Sequence, residues 1–339
     1  MSTDTLSEVL RAVRLTGAVY FRVDAGAPWV AEAPAARDVA PHIMPGLEHV
    51  IEYHVVTRGS CWGGLLGEPS IELAEGDIIV FPQGDAHVMS SAPGMRDKPN
   101  IELHRKASLG QLPVAMSIGH AGSEATEVVC GFLGCDARPF NPLLATLPRM
   151  LHVPRGPGVD THLSQLVRLA VAESDSRGAG SECMLSRLSE LLFVAVVRRY
   201  IAGLPQDTTG WLAGLRDDVV GRALGFLHGR PAHDWSLDEL AKESGLSRSM
   251  LAERFHHFVG VPPIQYLARW RMQLAATMLA SESAPLIDVA SRVGYGSEAA
   301  FSRAFKRWVG LAPSAWREGQ RPDPAVLDAA ASAPDEDGP

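Results

Sequence analysis

The chain has 339 residues, of which 46% are hydrophobic and 21% charged, and its formal net charge at pH 7 is −8. This length predicts two or three globular domains, and the acidic balance argues against a protein that binds nucleic acid by general positive charge. No run of eighteen apolar residues suits a membrane span, and the polar, amphipathic stretch Met1–Arg14 is unlike a signal peptide. We therefore expect a cytoplasmic protein with no membrane partner.

The first third of the chain has the pattern of β-strands separated by Gly, Pro and Asp. Gly17–Val23 and Ile51–Thr57 are rich in β-forming residues. Leu73–His87, LAEGDIIVFPQGDAH, places a strand at Ile78–Phe81 between two turns and then a histidine. This phrase resembles the second conserved motif of cupin β-barrels, with His54 roughly in the place of the first motif.

The cupin resemblance implies a barrel over residues 1–153, with histidines that point into its interior. A barrel of this size can hold one small ligand, so the domain is expected to sense an effector. The first motif lacks the paired histidine and the glutamate of metal-binding cupins, because Glu52-Tyr53-His54 is followed by Val55 and Val56. A three-histidine metal site is therefore not expected, and neither is catalysis, which would need the full ligand set.

The four cysteines of a cytosolic chain are more typical of free thiols or ligands than of a disulfide framework. The C-x₄-C spacing in VCGFLGCD lies at the wide end of structural zinc pairs. Three interpretations are open: buried free thiols with a satisfied core histidine, a redox thiol pair, or a Cys₂His₂ zinc site. The ligands of that zinc site would be His54, His87, Cys130 and Cys135.

Residues 160–203 predict a helical hairpin. Asp160–Glu173 has an apolar face, and Ser181–Ile201 is apolar over so wide an arc that it needs partners on more than one side. Residues 204–214, LPQDTTGWLAG, have the composition of a linker. Residues 215–320 are expected to form the last domain, and 321–339 a disordered tail.

The last domain contains the same helix-turn-helix phrase twice, as LDELAKESGLSRSMLAERFHHFVG at Leu237–Gly260 and LIDVASRVGYGSEAAFSRAFKRWVG at Leu286–Gly310. Positions in the leading helix recur at an offset of 49 and positions after the turn at an offset of 50, so the added residue lies in the turn. This is typical of a duplicated supersecondary unit. Between the units, Ile264–Ala280 predicts one helix of roughly 26 Å, which can separate two recognition helices by about one turn of DNA, roughly 34 Å.

The spacing of these residues resembles the DNA-binding domain of the AraC/XylS transcription regulators. The likeness covers about 100 residues and includes GxSxxxLxxxF in the first recognition helix, GxxPxxYLxxxR at Gly260–Arg271 and GYxxxxxFxRxFKxxxGxxPxxWR at Gly294–Arg317. It implies a sequence-specific regulator of double-stranded DNA, with the barrel as its effector domain and the hairpin as its homodimer contact. An alternative is that the hairpin only covers the barrel.

The resemblance also places base contacts near the start of each recognition helix and phosphate contacts beside them. Arg303 can donate two hydrogen bonds to guanine, whereas alanines offer only apolar contact and Glu253 only an acceptor. The implied base contacts are Ser249, Ala252, Glu253, Ala299, Ala300 and Arg303, and the implied phosphate contacts are Ser247, Arg248, Arg254, Ser297, Lys306 and Arg307.

The acidity of the chain lies outside its DNA-binding end, since residues 217–321 carry 13 Lys and Arg against 11 Asp and Glu, a net charge of +2. The sequence predicts a multidomain α+β protein with a cupin-like β-barrel, a helical dimerisation hairpin and an all-α double helix-turn-helix domain. Its expected function is transcription regulation controlled by a small effector or a metal, for which zinc is a candidate cofactor, and not catalysis. The alternatives are a cupin enzyme fused to a DNA-targeting domain and a DNA-binding protein with a purely structural barrel.

Overall fold

The structure, a computed structural model, describes residues 4–101, 113–120, 125–155, 161–176 and 178–319, so the predicted tail 321–339 lies outside it. Its N-terminal half consists of strands with two short helices, α1 (Thr5–Ala12) and α2 (Ala36–Ile43). The strands of the described ranges are β1 (Thr16–Gly26), β2 (Val30–Ala33), β3 (His49–Arg58), β4 (Ser60–Leu65), β5 (Ile71–Ala74), β6 (Ile78–Phe81), β7 (His87–Ser90), β8 (Val114–Gly119), β9 (Ala125–Cys135) and β10 (Leu151–Val153).

These strands form two sheets that enclose the interior of the predicted barrel. The larger sheet has the order β10-β6-β3-β9-β1-β8, and the smaller one has the order β2-β7-β4-β5. Neighbouring strands are antiparallel except β1 and β8, which are parallel. The strand predicted at Ile78–Phe81 is confirmed as β6.

Side chains of the central strand β3 alternate between the barrel interior and the helices outside it. Val50 and Val56 belong to the interior apolar cluster, whereas Ile51 belongs to the cluster shared with the helices. This is the two-residue period of a strand with both faces buried. The same period places Glu52 and His54 on the interior face.

The predicted hairpin is confirmed as two helices, α3 (Thr161–Ser176) and α4 (Ser181–Gly203). Helix α4 packs against the outer face of the larger sheet. Its Ser189 hydroxyl lies 2.7 Å from the Tyr53 hydroxyl, and a Cβ added at Gly17 would lie 2.6 Å from Ser186 O. Glycine at this position therefore allows the close approach of helix and strand.

The predicted linker 204–214 is wrong at its C-terminal end. Helix α5 (Trp211–Arg216) begins there, and Trp211, Leu212 and Ala213 are buried. The indole Nε1 of Trp211 donates a hydrogen bond to the Tyr266 hydroxyl at 2.7 Å. The end of the segment that has the composition of a linker is thus part of the core of the last domain.

The last domain is all-helical, and both predicted helix-turn-helix units are confirmed. In the first turn Gly245 has a φ of +79°, a left-handed conformation that glycine adopts without strain. The hydroxyls of Ser247 and Ser297 then cap the two recognition helices. The helices are α6 (Asp218–Gly229), α7 (Leu237–Ser244), α8 (Arg248–Val259), α9 (Pro263–Ser281), α10 (Leu286–Arg292), α11 (Glu298–Val309) and α12 (Pro313–Gly319).

Helix α9 is the single helix predicted between the two units, and each of its halves packs against one of them. Tyr266 and Trp270 of the first half share a buried cluster with Phe255 of α8. Met272 and Leu279 of the second half belong to a separate cluster with α11. The two recognition helices are therefore fixed relative to one another through α9. Within the described ranges, no helix is long and apolar enough to cross a membrane.

Candidate functional site

The first recognition helix, α8, exposes the predicted base-contacting residues near its N-terminal end. Ser249 and Glu253 are exposed, and Ala252 is half-buried. Arg248 is also exposed, and its guanidinium lies 3.4 Å from a carboxylate oxygen of Asp238. A cation that already faces a carboxylate has less net charge to offer to a phosphate.

The second recognition helix, α11, presents the corresponding surface with more uncompensated charge. Ala299 is exposed and Ala300 half-buried, and the three cations Arg303, Lys306 and Arg307 are all exposed. Within the described part of the chain, none of the three forms an ion pair. Their charges are therefore available to a polyanion.

Arg254, predicted to contact phosphate, instead points back to the start of α6. Its guanidinium nitrogens lie 2.5, 3.0 and 3.1 Å from the carboxylate oxygens of Asp217. That carboxylate also accepts the backbone N–H groups of Val219 and Val220, and so caps the helix. Burial raises the pKa of Asp217, but the hydrogen bonds from Arg254 and the backbone outweigh it and hold the pKa below its ordinary 3.8. Arg254 thus stabilises the cap of α6.

A second candidate site lies inside the barrel, where Glu52, His54 and His87 meet. The Nε2 atoms of the two imidazoles are 2.6 Å apart, and His87 Nε2 is 3.7 Å from Glu52 Oε2. Candidate ligand atoms of the three residues all lie within 4.8 Å of one another, and all three residues are buried. Because β3 and β7 belong to different sheets, the cluster joins the two sheets.

The surroundings of His87 orient its ring toward this cluster. Its Nδ1 lies 2.9 Å from the carbonyl oxygen of Asp85, and the Phe81 ring stacks on it with centroids 3.8 Å apart. A carbonyl accepts a hydrogen bond only from a protonated Nδ1, which leaves the Nε2 lone pair directed into the cluster. A carbonyl partner of this kind is the usual support of a metal-binding histidine.

Glu52 gives the cluster its acidic member. Burial raises the pKa of Glu52 to about 8, so the carboxyl is mostly neutral at pH 7 without a cation beside it. Within the described structure its Oε1 atom has no hydrogen-bond partner. Two imidazoles and a carboxyl with an unused oxygen fit a divalent transition metal, because the ion would satisfy that oxygen and favour its ionised form.

The predicted Cys₂His₂ zinc site is wrong, because the two cysteines lie on opposite faces of β9. Cys130 is paired with His54 in strand register and lines the same interior cavity as the histidines. Cys135 is five residues further along, an odd number that turns its side chain outward, where it belongs to the apolar cluster shared with the helices. Burial raises the pKa of the Cys135 thiol to about 12, as expected for an inert core residue.

Glu52 is the member of the cluster that motif reasoning missed. The chain lacks the glutamate of the first motif of metal-binding cupins, but it has Glu52 two residues before His54. Residues two apart on a strand share a face, so the alternation Glu52-x-His54 carried the signal.

A cavity of about 250 Å³ adjoins the three candidate ligands. Apolar and sulfur-containing side chains dominate its wall, so its chemistry differs from the polar cluster at its end. Side chains that line it include Trp29, Met89, Met116, Cys130 and Phe132. The barrel therefore offers space for a small apolar molecule next to a site that suits a cation.

The fold and these two sites define a protein in which a β-barrel with an interior cavity is joined to a double helix-turn-helix. Comparison with known proteins agrees with this division. A family described as Cupin matches residues 4–202, and one described as Helix-turn-helix domain matches residues 240–319. The chain is 32% identical over 327 residues to an AraC-like transcription regulator, so named, of Streptomyces antibioticus, covering 94% of this chain and 100% of that protein.

A similarly named protein of Streptomyces lividans is 32% identical over 321 residues, covering 93% of this chain and 98% of its own. Among solved structures, the C-terminal domain of the response regulator AraT from Geobacillus stearothermophilus is 28% identical, covering 32% of this chain and 90% of that domain, with a TM-score of 0.31. The chain belongs to the AraC-like transcription regulators with an N-terminal cupin domain. It is a DNA-binding transcription regulator of the AraC type.

Proposed function

We propose that the barrel is the effector domain of this regulator and that Glu52, His54 and His87 bind a divalent transition metal ion that controls DNA occupancy. One observation supports this most strongly: two imidazole nitrogens and a carboxyl oxygen converge in the buried interior, from both sheets. Zinc takes ligands of these types. Since the relatives are regulators, the metal is proposed as a signal and not as a catalyst.

The adjoining cavity favours a second candidate effector, a small apolar molecule. Its volume of about 250 Å³ and its wall, which includes Trp29 and Met116, suit such a ligand. The two candidates are separable, because a response to zinc would require the imidazole of His87, whereas a response to an apolar compound would depend on apolar wall residues such as Trp29 and Met116.

The proposed DNA contacts are exposed or half-buried residues at the start and along the outer face of the two recognition helices. Arg254 is left out of this set, because Asp217 holds its guanidinium. The base contacts are Ser249, Ala252, Glu253, Ala299, Ala300 and Arg303, and the phosphate contacts are Ser247, Arg248, Ser297, Lys306 and Arg307.

A homodimer through the hairpin is proposed from the apolar side chains that its outer face exposes. Leu169 is 44% exposed, Met184 41% and Leu191 51%. They lie on the two hairpin helices, α3 and α4. A second copy of the chain would bury these side chains and place two double helix-turn-helix domains on one DNA molecule.

The test uses the full chain, zinc, and DNA selected by the chain from a random library. We expect one zinc ion per chain by calorimetry, and a change of about tenfold in DNA affinity when zinc is added. Glu52→Gln keeps the volume of the side chain and should weaken zinc binding by at least about tenfold. His87→Ala should abolish both the binding and the response to zinc.

Cys135→Ser is the matched control, since this residue was a predicted ligand but faces away from the cluster. It should bind zinc as the unchanged chain does. Equal zinc affinity in the unchanged chain and in His87→Ala would refute the proposed site.

A further inference from the structure

A connector segment, residues 136–150 between β9 and β10, contacts the loop that leads from β6 into β7. Gln83 of that loop donates hydrogen bonds through Nε2 to the carbonyl oxygens of Leu144, at 2.8 Å, and Leu147, at 3.0 Å. One side chain thus hydrogen-bonds two backbone carbonyls of the connector segment.

The same loop links the connector segment to the candidate metal ligand His87. The carboxylate of Asp85 pairs with Arg149 at 2.7 Å. The backbone carbonyl of Asp85 accepts the hydrogen bond of His87 Nδ1 at 2.9 Å. Asp85 therefore contacts both the His87 ring and the connector segment.

At its other end the connector segment contacts α9, the helix that joins the two helix-turn-helix units. The backbone N–H of Phe140 donates to Gln273 Oε1 at 3.0 Å. The Phe140 ring also packs edge-on against Tyr266 of α9, with centroids 5.4 Å apart. The contact lies near the middle of α9, between the halves that pack on the two units.

The amide of Gln273 also reaches the N-terminal helix. Its Nε2 donates to the carbonyl oxygen of Ala12 at 3.3 Å, and Thr277 Oγ1 donates to the same oxygen at 2.7 Å. Gln273 is completely buried. This buried amide bonds two separate parts of the barrel domain, so a shift of α9 that breaks these bonds without admitting water would leave buried polar groups unsatisfied.

We infer that the connector segment transmits the state of the His87 site to the DNA-binding domain. The hydrogen bonds of Gln273 couple this segment to α9. This inference rests on the proposed effector role of the barrel. Gln273 is a positioning residue, since it touches neither the candidate metal site nor the recognition surface.

The metal site supplies a physical reason for this coupling. The His54 and His87 Nε2 atoms are 2.6 Å apart, the distance of a hydrogen bond with one shared proton. Two nitrogen ligands of one tetrahedral zinc ion lie about 3.3 Å apart, given the usual bond lengths. One ion bound by both Nε2 atoms would therefore require the two rings to lie about 0.7 Å further apart, and one of those rings is hydrogen-bonded to Asp85.

The experiment compares the unchanged chain with Gln273→Met, which keeps length and apolar volume but removes the donor and the acceptor. Ser281→Ala is the matched control, because that exposed hydroxyl bonds only within α9. Zinc is the probe, and its affinity should be the same in all three proteins. Zinc should change the DNA affinity of the unchanged chain and of Ser281→Ala by about tenfold, and that of Gln273→Met by less than about twofold. A tenfold change in the DNA affinity of Gln273→Met on addition of zinc would refute this role of Gln273.

A second readout does not depend on zinc. Amide hydrogen exchange at Phe140 should be about tenfold faster in Gln273→Met, which removes its acceptor, and also in Gln83→Ala, which loosens the distant end of the connector segment. Unchanged exchange at Phe140 in Gln83→Ala would overturn the connector segment as the path. If zinc fails to bind the unchanged chain, the proposed metal effector is wrong. The exchange measurement still tests whether the connector segment couples the Gln83 loop to Phe140.

Discussion

Arg254 and Asp217 form an ion pair that ties the first recognition helix to the capped end of α6. Arg248, at the start of the same recognition helix, faces Asp238. The three cations of α11 have no such partner in the described chain. Positive charge available to DNA is therefore concentrated on the second unit, although the two units share one fold.

This asymmetry predicts which cations contribute to salt-dependent binding. Each phosphate contact releases counterions, so Lys306→Ala should reduce the slope of log affinity against log salt concentration by about 0.9. Arg254→Ala removes the same charge but should leave the slope within error, because Asp217 already neutralises that side chain. Binding to the selected DNA, titrated at four or more salt concentrations, provides the measurement. A decrease of about 0.9 in the salt slope of Arg254→Ala would contradict the conclusion that Asp217 neutralises Arg254.

Arg303 is expected to determine sequence preference. Arg303→Ala should weaken binding by on the order of 1–3 kcal/mol and relax discrimination at one base pair, because a bidentate contact to guanine would be lost. Repeating the selection from random DNA with this variant measures both effects. Lys306→Ala is the comparison, since loss of a phosphate contact weakens all sequences about equally. An unchanged sequence preference in Arg303→Ala would remove Arg303 from the base contacts.

The helix-turn-helix units could be predicted because their signals are local. Gly245, Ser247 and their counterparts in the second unit specify turn and cap within a few residues, and the structure shows both. The cupin phrase likewise placed β6 at its observed bounds. Signals of this kind depend on backbone conformation and neighbouring side chains alone.

The features that the sequence did not predict are contacts between residues distant in sequence. Local composition predicts a linker at Trp211, whereas its hydrogen-bond partner Tyr266 is 55 residues away. The spacing of Cys130 and Cys135 suggests a ligand pair, whereas the register of β9 puts them on opposite faces. The contact of Gln273 with Phe140 spans 133 residues, and no local pattern in either stretch indicates it.

The exposed apolar side chains of the hairpin predict a dimer that one charge can disrupt. Leu191, 51% exposed on α4, should lie in the interface, so Leu191→Glu should shift the protein from dimer to monomer at micromolar concentration. Leu311→Glu is the matched control, since Leu311 is 48% exposed but lies in the DNA-binding domain. Sedimentation velocity distinguishes the two states. Dimers of equal stability in both variants would place the interface elsewhere.

A buried hydrogen-bond chain in the DNA-binding domain leads to a prediction about acid stability. Trp211 Nε1 donates to the Tyr266 hydroxyl at 2.7 Å, so that hydroxyl can donate its own proton to His228 Nε2 at 2.8 Å. His228 is therefore neutral, and burial lowers its pKa from 6.5 to about 3. The unfolded chain takes up a proton at this residue below pH 6.5, whereas the folded chain does not until about pH 3.

The free energy of unfolding should consequently fall as the pH drops below 6.5, by about 1.4 kcal/mol per pH unit from this residue. Between pH 7 and pH 5 this residue should lower the free energy of unfolding by about 2 kcal/mol, whereas above pH 6.5 its stabilising contribution is at its full value. Urea unfolding of the DNA-binding domain within the full chain at both pH values measures it. His228→Gln should show a loss smaller by about 2 kcal/mol, whereas His256→Gln, at an exposed histidine of α8, should behave as the unchanged chain does. Equal pH dependence in His228→Gln and the unchanged chain would show that His228 is not held neutral in the fold.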